Sequence, residues 1–253
     1  MKVYFVGAGP GNPKLLTVKA KELVEHCDCC IYAGSLVSDE VISLIPEGAD
    51  KYDSAGMSLD DMVLVYKEAK EKGIDVIRLH TGDPSIYGAT GEQMNELDSL
   101  GIEYETIPGV SSFQAAAAAL DIELTVPEKS QTIILTRAAG RTPVPDSQDL
   151  SELAKSRSTL CIFLSVQDID GVVKKLSPHY GVDCPSAVVY RASWPDQQIV
   201  RGTLLDIAEK TKAEGIKKTA IIIVGDALGE NSAVSKLYDK EFSHGYRKGE
   251  SDK

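Results

Sequence analysis

Three short runs of small residues each follow a strand-like stretch, and they are the places where this sequence could hold a ligand. Gly7-Ala8-Gly9-Pro10-Gly11 follows Val3 to Val6, Thr81-Gly82-Asp83-Pro84 follows Val76 to Leu79, and Pro108-Gly109-Val110-Ser111-Ser112 follows Ile102 to Ile107. Without bulky side chains, backbone groups in such turns can approach a bound molecule closely. Strand ends that face an open α/β crevice are also where ligands bind. The first run stands where a dinucleotide-binding loop would, but the fingerprint fails. Its third glycine is replaced by Asn12, and Pro10 has no amide proton to offer a pyrophosphate. A plain strand-to-helix turn therefore competes with the ligand reading. Asp83-Pro84 by itself reads equally as a turn, and the turn at 108–112, at another strand end, strengthens the ligand reading.

A second group of residues suits acidic, conjugated molecules. Arg137, Arg141, Arg191, Arg201 and the only tryptophan, Trp194, all lie in the second half. Guanidinium forks pair with carboxylates, and an indole can lie against a planar ring. Surface arginines and a packed indole explain the same residues equally well. Other chemistries find little support. None of the four histidines, His26, His80, His179 and His244, has a nucleophile motif beside it. His80, inside an apolar strand, reads more readily as a packed ring than as a base. The five cysteines, Cys27, Cys29, Cys30, Cys161 and Cys184, are odd in number and lack paired metal-ligand spacing. No metal is expected, and a reducing cytoplasm suits them.

These residues must be positioned by alternating strands and helices. The apolar pattern predicts strands at Val3–Val6, Cys29–Tyr32, Val76–His80 and Ile102–Ile107. It predicts helices around Leu15–His26, Leu59–Lys72 and Ser111–Leu120, with Gly73 as a C-terminal cap. That is an α/β arrangement with a largely parallel sheet in the first half. Further strands are expected at Gln131–Thr136, Leu160–Ser165, Ala187–Tyr190, Gln198–Val200 and Ala220–Val224. The reading is an N-terminal α/β domain over 1–127, a C-terminal α/β domain over 128–229 with a hinge around 124–129, and a polar tail over 230–253, as a surface helix or a mobile segment.

With 253 residues, 43% of them hydrophobic and 26% charged, the chain has ordinary globular composition. No apolar window is long enough for a membrane helix, and no secretory leader is recognisable. The net charge of −11 opposes nucleic-acid and anionic-membrane partners. A small anionic substrate remains compatible, provided local arginines receive it.

The chain resembles the tetrapyrrole methylases over about residues 1 to 228. Four stretches carry the likeness: Val6 to Gly11 with Leu15-Leu16-Thr17, Leu79 to Gly88, Ile107 to Phe113, and Val188 to Pro195 with Arg201 to Leu204. Within that family, Tyr32 to Val37, Pro127 to Gln131 leading into Thr136-Arg137, Gly140 to Pro143, and Tyr190 to Pro195 are most similar to the branch that methylates C11 of precorrin-4 or its cobalt complex. Asn12 departs from the family, where an aspartate is common. The resemblance implies two α/β domains with S-adenosylmethionine in a cleft between them, S-adenosylhomocysteine as product, and a homodimer. Cofactor contacts are then implied at Pro10, Thr81, Gly82, Asp83, Ile86, Ser111, Ser112, Leu164, Ala192 and Ala220. The tetrapyrrole's acidic side chains would fall to Arg137, Arg141 and Arg191, with Trp194 near the ring, and no dedicated base is implied. Two alternatives stand beside this reading: a sister methylase with another substrate, such as a uroporphyrinogen or another precorrin, and a noncatalytic nucleotide-binding module.

Overall fold

The computed structural model of the chain describes residues 1–229 and 239–248. The first part of the expected tail segment, 230–238, lies outside the described residues. Residues 239–248 form turns, closed by reciprocal backbone hydrogen bonds between His244 and Arg247 at 2.8 and 3.0 Å. The chain divides into two compact units, 1–119 with 191–198, and 120–190 with 199 onward.

The first unit holds β1 (Lys2–Gly7), α1 (Val18–Glu25), β2 (Cys29–Tyr32), α2 (Asp39–Ile42), β3 (Asp50–Asp53), α3 (Leu59–Lys72), β4 (Val76–His80), α4 (Thr90–Ser99), β5 (Glu103–Ile107) and α5 (Ser112–Leu120), which ends at the unit boundary. α3 begins at a capping box in which Ser58 and Asp61 satisfy each other's backbone amides, and it stops at Gly73 in the left-handed region, φ 71°. Between these caps Val65, Tyr66 and Ala69 face the core. α1 starts three residues later than the apolar pattern suggests. Asn12 closes a short 3-10 turn over Pro13–Leu15, and the Thr17 hydroxyl then caps the helix at Ala20. The sequence pattern does not anticipate the four-residue α2, nor β3 and α4. β3 is a polar edge strand, Asp-Lys-Tyr-Asp, and α4 buries only Gln93 and Leu97, so neither carries a clear periodicity.

These strands pair in the order β3-β2-β4-β1-β5, and every pairing is parallel. One sheet face packs Val3, Phe5 and Val76 against Tyr66 of α3 and Leu97 of α4. The other packs Val6, Ile77 and Leu79 against Ala20 and Val24 of α1. Neighbouring β1 and β4 therefore lead to helices on opposite faces, which opens a crevice beyond their carboxyl ends.

The second unit holds β6 (Ile133–Arg137), α6 (Leu150–Leu153), β7 (Thr159–Phe163), α7 (Ile169–Tyr180), β8 (Pro185–Tyr190), β9 (Gln198–Thr203), α8 (Ile207–Ala213) and β10 (Ala220–Val224). Its order is β6-β7-β10-β8-β9. β6 and β7 run parallel while β10 is antiparallel to both β7 and β8, so this sheet is mixed. Its core is built on Leu160, Ile162, Val188 and Ile222, covered by Ile169, Val172 and Leu176 of α7 and Ile207 of α8. Buried Thr159 ties the start of β7 to the incoming chain: its hydroxyl donates to Leu124 O at 2.8 Å, and its amide donates to Ser130 Oγ at 3.0 Å. Among the described residues no helix is long and apolar enough to cross a membrane.

Candidate functional site

In the first unit the three small-residue turns meet beyond the carboxyl ends of β1, β4 and β5. Gly7 stands opposite His80, and Val6 stands opposite Ile107. Gly9 and Gly82 exchange backbone hydrogen bonds at 3.2 and 2.8 Å. A Cβ on Gly7 would come within 2.6 Å of the Gly109 backbone, and one on Gly109 within 2.2 Å of Gly82 O. No side chain fits where these strand ends converge.

Asp83 fastens two of the turns together. Its carboxylate accepts from the Gly109 N–H at 3.0 Å, from the Ser85 N–H at 2.8 Å and from the Ser85 hydroxyl. Burial pushes this carboxyl up, but the hydrogen bonds from Ser85 and Gly109 outweigh it and hold it below the usual aspartate range. Thr81 is exposed, Ile86 and Ser112 are half-buried, and Ser111 is buried with its N–H on Gln114 Oε1 at 3.0 Å. His80 is 5% exposed, and no hydrogen-bond partner meets its Nε2. Burial, reinforced by the neighbouring Arg78 charge, lowers its pKa to about 3, which keeps the ring neutral.

The segment 191–198 belongs to the same unit. Ala192 is buried, and the Trp194 indole N–H donates to Pro10 O at 2.7 Å. The Arg191 guanidinium lies 4.6 Å from the Trp194 ring centre and pairs with Asp196 at 2.6 Å. Two residues here escape sequence reasoning. Ser193 accepts from the Asn12 N–H at 3.1 Å, and Ser38 donates to Gly11 O at 2.6 Å. Ser38 lies 27 residues along the chain from Gly11, and Ser193 lies 181 residues from Asn12, too far for any local pattern to join them.

In the second unit the expected residues gather at one end of the sheet. Arg137 pairs with Phe163 in register, Leu164 follows directly, and Ala220 pairs with Tyr190. Leu164 is 73% exposed and takes φ 54°, a conformation that is uncommon for a bulky residue. Arg137 donates to the carbonyls of Ala138, Thr142 and Pro143 at 3.3, 3.2 and 2.8 Å, which shapes the loop that carries the exposed Arg141.

The turns of the first unit therefore offer backbone amides, carbonyls and small hydroxyls. That set suits a nucleoside read by close approach of the main chain. Residues 2–208 match the family of tetrapyrrole (corrin/porphyrin) methylases. The chain is 56% identical to the cobalt-precorrin-4 C(11)-methyltransferase of Methanocaldococcus jannaschii, over 98% of this chain and 96% of that protein. It is 49% identical to the precorrin-4 C(11)-methyltransferase of Pseudomonas aeruginosa, over 99% and 100%. Among solved structures, a cobalt precorrin-4 methyltransferase superposes with a TM-score of 0.88 at 45% identity, covering 90% of this chain and 96% of that one. Uroporphyrin-III C-methyl transferase from Thermus thermophilus, solved with S-adenosylhomocysteine, superposes with a TM-score of 0.75 at 28% identity, over 94% and 99%. The chain has the two-sheet α/β fold of these methylases, and it belongs to the tetrapyrrole methylase family.

Proposed function

We propose that this chain transfers a methyl group from S-adenosylmethionine to C11 of precorrin-4 or of its cobalt complex, releasing S-adenosylhomocysteine. The likeness over almost the full chain to relatives named for that reaction carries the reading, with 56% identity over 98% of the chain in one of them. The converging turns of the first unit support the cofactor.

In this reading Pro10, the Thr81-Gly82-Asp83 turn, Ile86, Ser111, Ser112, Leu164, Ala192 and Ala220 hold the cofactor. When bound, S-adenosylmethionine supplies an electrophilic methyl on a cationic sulfur. The protein's part is alignment and exclusion of water. The bond from C11 to the methyl carbon forms as the S–CH3 bond breaks. With the nucleophile supplied by the electron-rich macrocycle, no side-chain base is required at that step. Arg137, Arg141 and Arg191 receive the acidic side chains of the tetrapyrrole, and Trp194 lies beside its ring. Residues 1–127 and 128–229 act as the two domains of a cytoplasmic homodimer. The compartment suits the five cysteines, which are all free thiols.

The test is mass spectrometry of the purified protein incubated with S-adenosylmethionine and either precorrin-4 or cobalt-precorrin-4, with the methyl position assigned by labelled-methyl NMR. One added methyl at C11 is expected. Tight S-adenosylhomocysteine binding without transfer to either substrate would move the function to a sister methylase or to a binding module.

A further inference from the structure

The Gly9–Asn12 stretch has little intrinsic preference for the shape it takes. Gly9 and Gly11 have φ of 69° and 150°, and Pro10 between them has no amide to donate. An unsupported loop of this kind samples many conformations, and ordering it on ligand binding costs affinity. In this structure each of its residues is held from outside. Gly9 is bridged to Gly82, and the Gly11 carbonyl accepts from Ser38. The remaining supports come from one distant segment. The Trp194 indole donates to Pro10 O at 2.7 Å, and Ser193 Oγ accepts from the Asn12 N–H at 3.1 Å.

The indole also fills the space beside Gly11. A Cβ there would lie 2.1 Å from Trp194 Cδ1 and 2.2 Å from Nε1. The segment that brings the indole is itself stiff. Trp194 N–H donates to Arg191 O at 2.9 Å, Gln197 N–H donates to Trp194 O at 3.1 Å, and Ser193 N–H donates to Gln197 Oε1 at 2.7 Å. Arg191, clamped by Asp196, covers the ring.

We infer that Trp194 is a positioning residue for the cofactor: its indole braces the Pro10–Gly11 turn in the shape that S-adenosylmethionine binds, before any tetrapyrrole arrives. The inference rests on the cofactor reading above and adds a role to Trp194 that is separate from any contact with substrate. It also accounts for Gly11, whose missing side chain is the room in which the indole edge sits.

The test is calorimetric titration of the full chain with S-adenosylhomocysteine and no tetrapyrrole, on wild type, Trp194→Phe, Gly11→Ala, Trp194→Ala and the Gly11→Ala/Trp194→Ala pair. Trp194→Phe keeps a ring but loses the N–H donor, so the dissociation constant should rise about three- to tenfold, the worth of one hydrogen bond. Gly11→Ala should weaken binding less in the Trp194→Ala background than in wild type, because no indole remains for the new Cβ to meet. Unchanged S-adenosylhomocysteine affinity in both Trp194 variants, with only the tetrapyrrole KM raised, would overturn the brace, as would Gly11 and Trp194 effects that simply add. Failure of the wild type to bind S-adenosylhomocysteine would take down the cofactor reading, and the brace with it, and is distinguishable because no variant is needed to see it.

Discussion

His80 sits one residue before the Thr81-Gly82-Asp83 turn, buried and neutral, with its Nε2 unmatched. Because its folded pKa, about 3, lies below the ordinary histidine value of 6.5, the unfolded chain takes up this proton first as pH falls. The stability linked to the neutral ring is complete above pH 6.5 and drains away as pH drops from there toward about 3. Between pH 6.5 and 5, above the range where most carboxylates titrate, that amounts to about 1.5 kcal/mol. Urea unfolding across this window should show the loss in wild type and not in His80→Leu. Equal slopes in both proteins would mean that the imidazole is charged in the fold. Asp83 behaves in the same sense at lower pH, since its depressed pKa makes its contribution one that acid removes. The tether from Asp83 to the Gly109 N–H weakens only once the solution is well into the carboxylate range.

Among the elements, β7 depends on a polar anchor that apolar packing cannot replace. Thr159 is fully buried, and its hydroxyl satisfies Leu124 O. Thr159→Val keeps the shape but strands that carbonyl, at a cost of about 1–3 kcal/mol in denaturant unfolding. A change below about 0.5 kcal/mol would show that the anchor contributes nothing net. The elements also separate what sequence shows from what it hides. α3 was legible to the residue because the apolar spacing from Val65 to Ala69 and the glycine stop agree. α4 was not, because it follows Ala89 in the left-handed region with no side-chain cap and turns mainly polar residues outward. The meeting of the three small-residue turns was legible because small residues at strand ends mark places where backbones approach closely. The props under the first of them were not, since Pro10 and Trp194 lie 184 residues apart, with β6, β7 and β8 of the second sheet between them in the chain.

At the level of the whole molecule, a net charge of −11 surrounds a site proposed to take an acidic tetrapyrrole. Long-range repulsion should then slow encounter, and salt should relieve it. The Debye length shrinks from about 30 Å at 0.01 M to about 8 Å at 0.15 M, whereas close arginine–carboxylate pairs are screened far less. kcat/KM for the tetrapyrrole should therefore rise about two- to fivefold over that range in stopped-flow or steady-state assays. A steep fall would mean that a local basic field outweighs the acidic body.

The first unit takes in 191–198 as well as 1–119, and this has a consequence for how the protein is born. During synthesis the parallel sheet can close as soon as α5 has emerged, yet the Pro10 turn must wait for Trp194. Roughly 70 residues intervene, a delay of several seconds at ~5–20 residues per second. A nascent chain arrested anywhere in that interval would carry a finished first sheet with an unbraced Pro10 turn, so under the proposed cofactor role competence to bind S-adenosylmethionine should be acquired late and abruptly, as the ribosome delivers residues 191–198.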